Sequence, residues 1–89
     1  IMNKRIILKC TPLRFYTPDD EALCFNWIEK IKCIKKCIGV GKELHLSIAS
    51  NNISNGDLLN LMGLFDRYKF DSSQLKIFIN DNNKELFEE

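Results

Sequence analysis

The side chains best equipped for chemistry crowd into one stretch. Lys30 to Cys37, KIKCIKKC, sets four lysines and two cysteines within eight residues. Interleaved lysines can follow a phosphate backbone, cysteines with a histidine can hold a metal, and paired thiols can exchange electrons. The spacing argues against all three. A metal needs three or four ligands, the CxxC spacing is missing, and His45 is the sole histidine. Cys33 and Cys37, one turn apart on a regular helix, are poorly placed for a disulfide. Cys10 and Cys24 fall at apolar positions and behave as small hydrophobes. Four reduced thiols predict a cytoplasmic protein. Lysines in a last helical turn complement its negative end, so the stretch reads as a helix end with Cys33 turned away from the core. The lone histidine has no recognisable Cys or Ser partner, no glycine-rich loop cradles phosphate, and no carboxylate pair stands out. Neither an enzyme nor a metal or cofactor is expected.

The totals set the frame for those residues. Eighty-nine residues, 45% hydrophobic and 28% charged, describe one globular domain, residues 1–89. The net charge is +1, yet residues 1–42 hold nine Lys or Arg against four acids, and residues 43–89 hold four against eight. A near-neutral total argues against bulk binding of nucleic acid, while the asymmetry favours a polar partner surface. No apolar run approaches the roughly 20 residues that cross a bilayer, so no membrane partner is expected. The amino terminus leads directly into a strand-like run with no secretory pattern, and Ile1 ahead of Met2 reads as a vector-derived residue. Abundant Ile, Lys, Asn and Phe follow AT-rich codons, as in a mobile bacterial gene or an AT-rich genome.

The elements that position these residues follow from periodicity. Asn3 to Cys10 alternates as a first strand, Pro12 ends it, and Leu13 to Tyr16 extends it or forms an edge. TPDDE starts a helix: Thr17 caps, Pro18 suits the first helical position, and the acids suit the positive end. Leu23, Cys24, Trp27, Ile28, Ile31, Ile34 and Ile38 fall in one helical stripe, which carries this helix to about Cys37, with Gly39 and Gly41 as its stop. Leu44, Leu46 and Ile48 alternate as a second strand. Ser54 and Asp57 resemble a variant capping box ahead of a second helix, about Gly56 to Tyr68, burying Leu58, Leu61, Met62, Phe65 and Tyr68. After the turn at 71–73, Gln74 to Asn80 reads as a third strand with Leu75, Ile77 and Ile79 inward, and KELFEE adds a last helical turn. This order predicts an α/β fold: a small two-layer β-α-β-α-β domain with a mainly parallel three-stranded sheet and two helices.

Alternating strands leave one sheet face less covered, showing Ile7, Lys9, His45, Lys76 and Phe78. Single-stranded RNA readers stack bases on such faces, so a small RNA-binding domain is the alternative function; only one aromatic is present there and no RNA-motif consensus matches. Phe25 and Leu59 lie off the apolar stripes as flank contacts or partner anchors. Gly63 inside the second helix costs roughly 1 kcal/mol against Ala and permits a close approach.

Taken together, PLRFYTPDDEALCFNWIEKI, DLLNLMGLFDRYKFD and QLKIFINDNNKELF resemble a family of small bacterial immunity proteins of contact-dependent growth inhibition and related polymorphic toxin systems. The resemblance spans most of the chain in pattern, size and element order, without a short invariant motif. It implies a cytoplasmic antitoxin that binds the carboxy-terminal domain of a toxin delivered by a neighbouring cell. Many such toxins are nucleases, often of transfer RNA, blocked by occlusion of the active site or substrate groove. The groove of a nuclease is positively charged, and acids on an inhibitor occupy it and speed docking. The expected toxin-binding residues are therefore Asp57, Asp66, Asp71, Asp81 and Glu85, with Tyr68 as aromatic anchor. No direct nucleic-acid partner is implied. The basic first half departs from what an RNA-mimicking inhibitor needs.

Overall fold

A computed structural model describes residues 5–11 and 13–87. The expected strand start at Asn3, Pro12 as its terminator and the end of KELFEE lie outside the described residues. The first strand, β1, is Ile6–Cys10. Thr17 then opens α1, Pro18–Lys30, as its residue types require. The Asp20 N–H donates to Thr17 Oγ1 at 3.1 Å, and the Tyr16 N–H donates to Asp20 Oδ2 at 3.2 Å. The cap satisfies one helix-start donor, worth about 1 kcal/mol, and Asp20 in return holds the residue ahead of the cap.

The helix stops well short of Cys37. Ile31 takes an extended conformation as its C-cap, and Ile34–Val40 forms β2. KIKCIKKC is thus a helix end, a turn and half a strand. Ile31, Ile34 and Ile38 share a helical spacing but no common face: Ile31 is buried and Ile38 is 44% exposed. The β-branched run Ile34, Ile38 and Val40 favours a strand over a helix. Cys33, expected to point outward, is buried, and Cys37 is exposed. Gly41 is no helix stop either. With φ +61 it is the first of two residues linking Val40 to Glu43, its paired partner. A positive φ at that position is the signature of a tight hairpin, which only glycine adopts cheaply.

The strand after this turn, β3, spans Glu43–Ile48 and occupies the centre of the sheet, in the order β1-β3-β2. Both neighbours pair with it antiparallel, Ile6 to Ile48 on one side and Val40 to Glu43 on the other. The β1 and β2 strands therefore run in the same direction without touching. The mainly parallel α/β arrangement is wrong: the chain is a small α+β domain with an antiparallel sheet. A two-residue loop between β2 and β3 leaves no room for the crossover that parallel neighbours require.

The second helix, α2, covers Asn55–Tyr68, close to expectation. Ser54 caps it by accepting the Asp57 N–H at 3.1 Å. It buries Leu58, Leu61, Leu64 and Phe65. Each contributes about 1.5–3 kcal/mol of apolar burial, well above the cost of Gly63. A Cβ on Gly63 would sit 3.3 Å from Trp27 Cζ2, so this glycine admits the indole ring against α2.

The expected third strand, Gln74 to Asn80, is instead a 3₁₀ helix, Ser72–Phe78. Alternation of Leu75, Ile77 and Ile79 imitated a strand, but the buried pair is Leu75 and Phe78. Residues three apart align in a 3₁₀ turn, and Ile77 and Ile79 face solvent. A second 3₁₀ turn, Lys84–Phe87, ends the described chain. Both helices and the first 3₁₀ segment contribute to one core with the inner sheet residues Leu8, Cys10, Leu44, Leu46 and Ile48. No helix among the described residues is long and apolar enough to cross a membrane.

Candidate functional site

Helical geometry disperses the expected acids. Asp57 and Asp66 lie nine residues apart on α2, hence about 14 Å along its axis and about 180° around it. Asp57 faces a shallow cavity of about 260 Å³ that it shares with Lys32 and Lys35. Asp66 is exposed in the last turn of α2, next to Arg67 and Tyr68. Asp71 caps the first 3₁₀ helix: its Oδ1 accepts from the Ser73 hydroxyl at 2.6 Å and the Ser73 N–H at 3.0 Å. The hydroxyl bond first, then the backbone bond, holds this carboxyl below its ordinary value. Asp81 and Glu85 are exposed, in the turn before the last 3₁₀ segment and within it. Asp66, Asp81 and Glu85 have no side-chain hydrogen bond among the described residues, whereas Asp71 is committed to local structure.

Tyr68 has the strongest set of neighbours. Its ring lies edge-on to Phe15 with centroids 6.0 Å apart and stacks on Phe70 at 6.0 Å and 24°. The Arg67 guanidinium sits 5.7 Å from its centroid. Desolvation pushes its hydroxyl pKa up, so the ring presents a neutral phenol. The same residue lines a cleft between the two helices, about 420 Å³, with Leu23, Asn26, Trp27 and Lys30 from α1 and Arg67 beside it. Trp27 is fixed there by its Nε1 donating to Asn60 Oδ1 at 3.2 Å. Sequence reasoning placed Leu23 and Trp27 in the core stripe; Leu23 is 61% exposed and Trp27 half-buried. Their spacing of four residues at the flank of the stripe, together with the Arg67–Tyr68 pair, was the available signal.

The open face of the sheet also differs from expectation. Ile7, Lys9 and His45 lie on it, joined by Lys36, Ile38 and Val40 of β2. Lys76 and Phe78 belong to the 3₁₀ helix, and Phe78 is 1% exposed in the core. The described part of this face thus carries aliphatic and basic groups with Ser47 and Glu43, and no aromatic stacking platform. His45 Nε2 meets Glu43 Oε1 at 2.9 Å along the same strand. Phe25 packs against Phe15 as a flank contact, while Leu59 stays exposed.

The thiols are set apart by burial. It lifts Cys10 to about 12, Cys24 to about 11 and Cys33 to about 11, keeping all three protonated. Among the described residues no group of three His, Cys, Asp or Glu side chains could hold a metal ion.

Comparison with protein-family models, curated proteins and solved structures found no match. The chemistry of the surface carries the functional argument alone.

Proposed function

We propose that this chain is a toxin-neutralising immunity protein, which binds the carboxy-terminal domain of a cognate toxin, a nuclease of the transfer-RNA-cutting kind, and blocks its active site or substrate groove. The observation that supports this reading is the α1–α2 cleft. Trp27, Tyr68 and Arg67 are the three residue types that dominate binding energy at protein interfaces, and here they line one open concavity beside exposed Leu23. A partner side chain entering the cleft meets rings already held by Phe15, Phe70 and Asn60, so little ordering is lost on docking. Asp66 adjoins the cleft through the last turn of α2 and supplies negative charge for a basic groove, while Asp71, Asp81 and Glu85 lie outside the cleft lining. Asp57, at the far end of α2, is left as a distal member.

The test is co-expression with the carboxy-terminal domain encoded immediately upstream. Growth arrest should be relieved by this chain, and purified domains should form a complex. Leu23→Asp alters an exposed position and should leave folding intact while weakening the complex by tenfold or more, about 1.4 kcal/mol. Tyr68→Ala should cost about 2 kcal/mol or more in affinity. A neighbour domain that is harmless, or whose toxicity this chain does not relieve, would refute the proposal. Rescue unaffected by Leu23→Asp and Tyr68→Ala would move the contact away from the cleft.

A further inference from the structure

The two edges of the sheet are treated differently. At β1 the Gln74 side chain imitates a neighbouring strand: the Lys9 N–H donates to its Oε1 at 2.7 Å, and its Nε2 donates to the Lys9 carbonyl at 2.8 Å. That edge is closed at Lys9. The same pair of bonds fixes the orientation of the peptide groups across the regular part of the sheet, as far as Lys36 to Val40 of β2. Lys9 faces away from β3, so its partner His45, and Ser47 with it, face β2. Their partners Ile38 and Lys36 face back toward β3, which turns the N–H and C=O of Cys37 and Gly39 outward. Among the described residues nothing bonds to them.

Lysines surround this open edge. Lys32, Lys35, Lys36 and Lys42 are all exposed, and none forms an ion pair among the described residues. The register shift between Ile34 and Lys36 places a bulge at Lys35 and leaves the straight part of the edge from Lys36 to Val40. Bulges and lysines usually deter promiscuous pairing at an edge. Here they also discriminate. Self-pairing of two β2 strands would set Lys35 and Lys36 of each copy against a like-charged strand, whereas carboxylates meet no such barrier. Ile38 and Val40, 44% and 48% exposed on the open face, offer apolar neighbours to alternate side chains of an added strand. At the start of β2 the cavity of about 260 Å³, lined by Lys32, Lys35, Ser50 and Asn52, fits a carboxylate side chain, with Asp57 as its one opposing acid.

We propose that the β2 edge is a docking site for an extended acidic polypeptide segment, which adds to the sheet as a fourth strand. It pairs with the backbone of Cys37 and Gly39, lays apolar side chains on Ile38 and Val40 of the open face, and directs the alternating carboxylates, on its other face, to Lys32 and Lys35. This site shares no residue with the α1–α2 cleft and does not depend on the toxin reading.

The probe is a fluorescein-labelled, end-blocked peptide of alternating glutamate and valine, about seven residues long, to match a strand. Its anisotropy should rise and saturate with the full chain, while a lysine–valine counterpart should not bind. N-methylation of the peptide at alternate amides should weaken binding at least about tenfold in one of its two registers, because it removes ladder donors. Gly39→Pro removes an outward N–H and should produce a similar loss; Gly39→Ala, whose Cβ meets nothing within 4 Å, should keep binding. The methylated peptides are read on the unmodified chain, so the test survives a Gly39→Pro protein that does not fold. Equal binding of the lysine peptide, insensitivity to N-methylation in both registers, or no binding at all overturns the proposal. A dimer of the unmodified chain lost in Gly39→Pro would assign the edge to a second copy. Oligo-uridylate capture by the same lysines in place of the acidic peptide would assign it to RNA.

Discussion

Asn83 is the most demanding polar residue in the molecule. Its side chain is 1% exposed, accepts the Asn80 N–H at 2.8 Å and donates to the Phe78 carbonyl at 2.8 Å. It thereby ties the turn after the first 3₁₀ helix to that helix's last buried residue. Asn83→Ala strands two backbone groups. The Phe78 carbonyl is buried and the Asn80 N–H partly so, at about 1–3 kcal/mol for each group fully desolvated. The expected loss is about 2–4 kcal/mol, water entry into the vacated space setting the lower figure. For a domain of this size that lowers Tm by roughly 10–25 °C. Urea denaturation followed by Trp27, the sole tryptophan, measures it. Asn82→Ala is the control: the residue is exposed, its side chain makes no hydrogen bond among the described residues, and the expected change is within about 0.5 kcal/mol. Asn83→Asp adds a pH test. Its carboxylate would face the Phe78 carbonyl, so its folded pKa rises above the ordinary value of about 3.9. The protonated form then stabilises the fold, and the defect should shrink as pH falls through the raised value toward the ordinary one. If Asn83→Ala lies within about 0.5 kcal/mol of Asn82→Ala at an unchanged m-value, the buried network does not hold the carboxy-terminal segment as described.

Gly41→Ala forces a side chain into φ +61 and should destabilise by about 1–2 kcal/mol, whereas Gly39→Ala should change little; equal effects in thermal melts would contradict the hairpin geometry. Asp71, held down by Ser73, contributes stability that is complete above its unfolded pKa and is lost as pH falls through its lower folded value. Ser73→Ala removes the larger cause, so the Asp71 carboxyl should titrate at higher pH by NMR; an unmoved titration would break the assignment. Of the four thiols only Cys37 is exposed, so a thiol-exchange reagent at pH 8 should find one fast site in the native chain and three more on unfolding. Two fast sites would mean that the core around Cys10, Cys24 and Cys33 opens readily.

Where sequence and structure agree, local chemistry decided the outcome. TPDDE had a cap, a proline and acids all pointing to one helix start, and the LLNLMGLF stripe had no competing period. The errors arose where two periods fitted the same residues. Ile31, Ile34 and Ile38 satisfy a helical spacing, and Gly41-Lys42, the two-residue loop that would have separated a strand from the next one, was absorbed as a helix stop. Leu75, Ile77 and Ile79 alternate, yet Leu75 and Phe78 are the pair that is buried. Both errors multiplied: one lost strand and one invented strand turned an antiparallel sheet into a parallel one. The expected site suffered differently. Charge can be counted along a chain, but the separation of Asp57 from Asp66, and the commitment of Asp71 to Ser73, depend on helix phase and capping geometry. The concavity lined by Trp27 and Tyr68 required knowing how α1 meets α2, which no local pattern contains.

The central position of β3 has a consequence for how the chain assembles. β1 and α1 come first in the sequence, but β1 has no sheet partner until Ile48 reaches Ile6. β2 and β3, joined by two residues, can pair locally within microseconds. The slow event is then the docking of a finished hairpin onto a waiting strand, a closure between distant parts of the chain. Gly41 acts before that step and Gln74 seals it afterwards. Defects at Gly41 should retard folding, whereas loss of the Gln74–Lys9 pair should mainly accelerate unfolding. Until the hairpin arrives, β1 is an unpaired strand, so the lifetime of that interval sets the chain's exposure to misassembly.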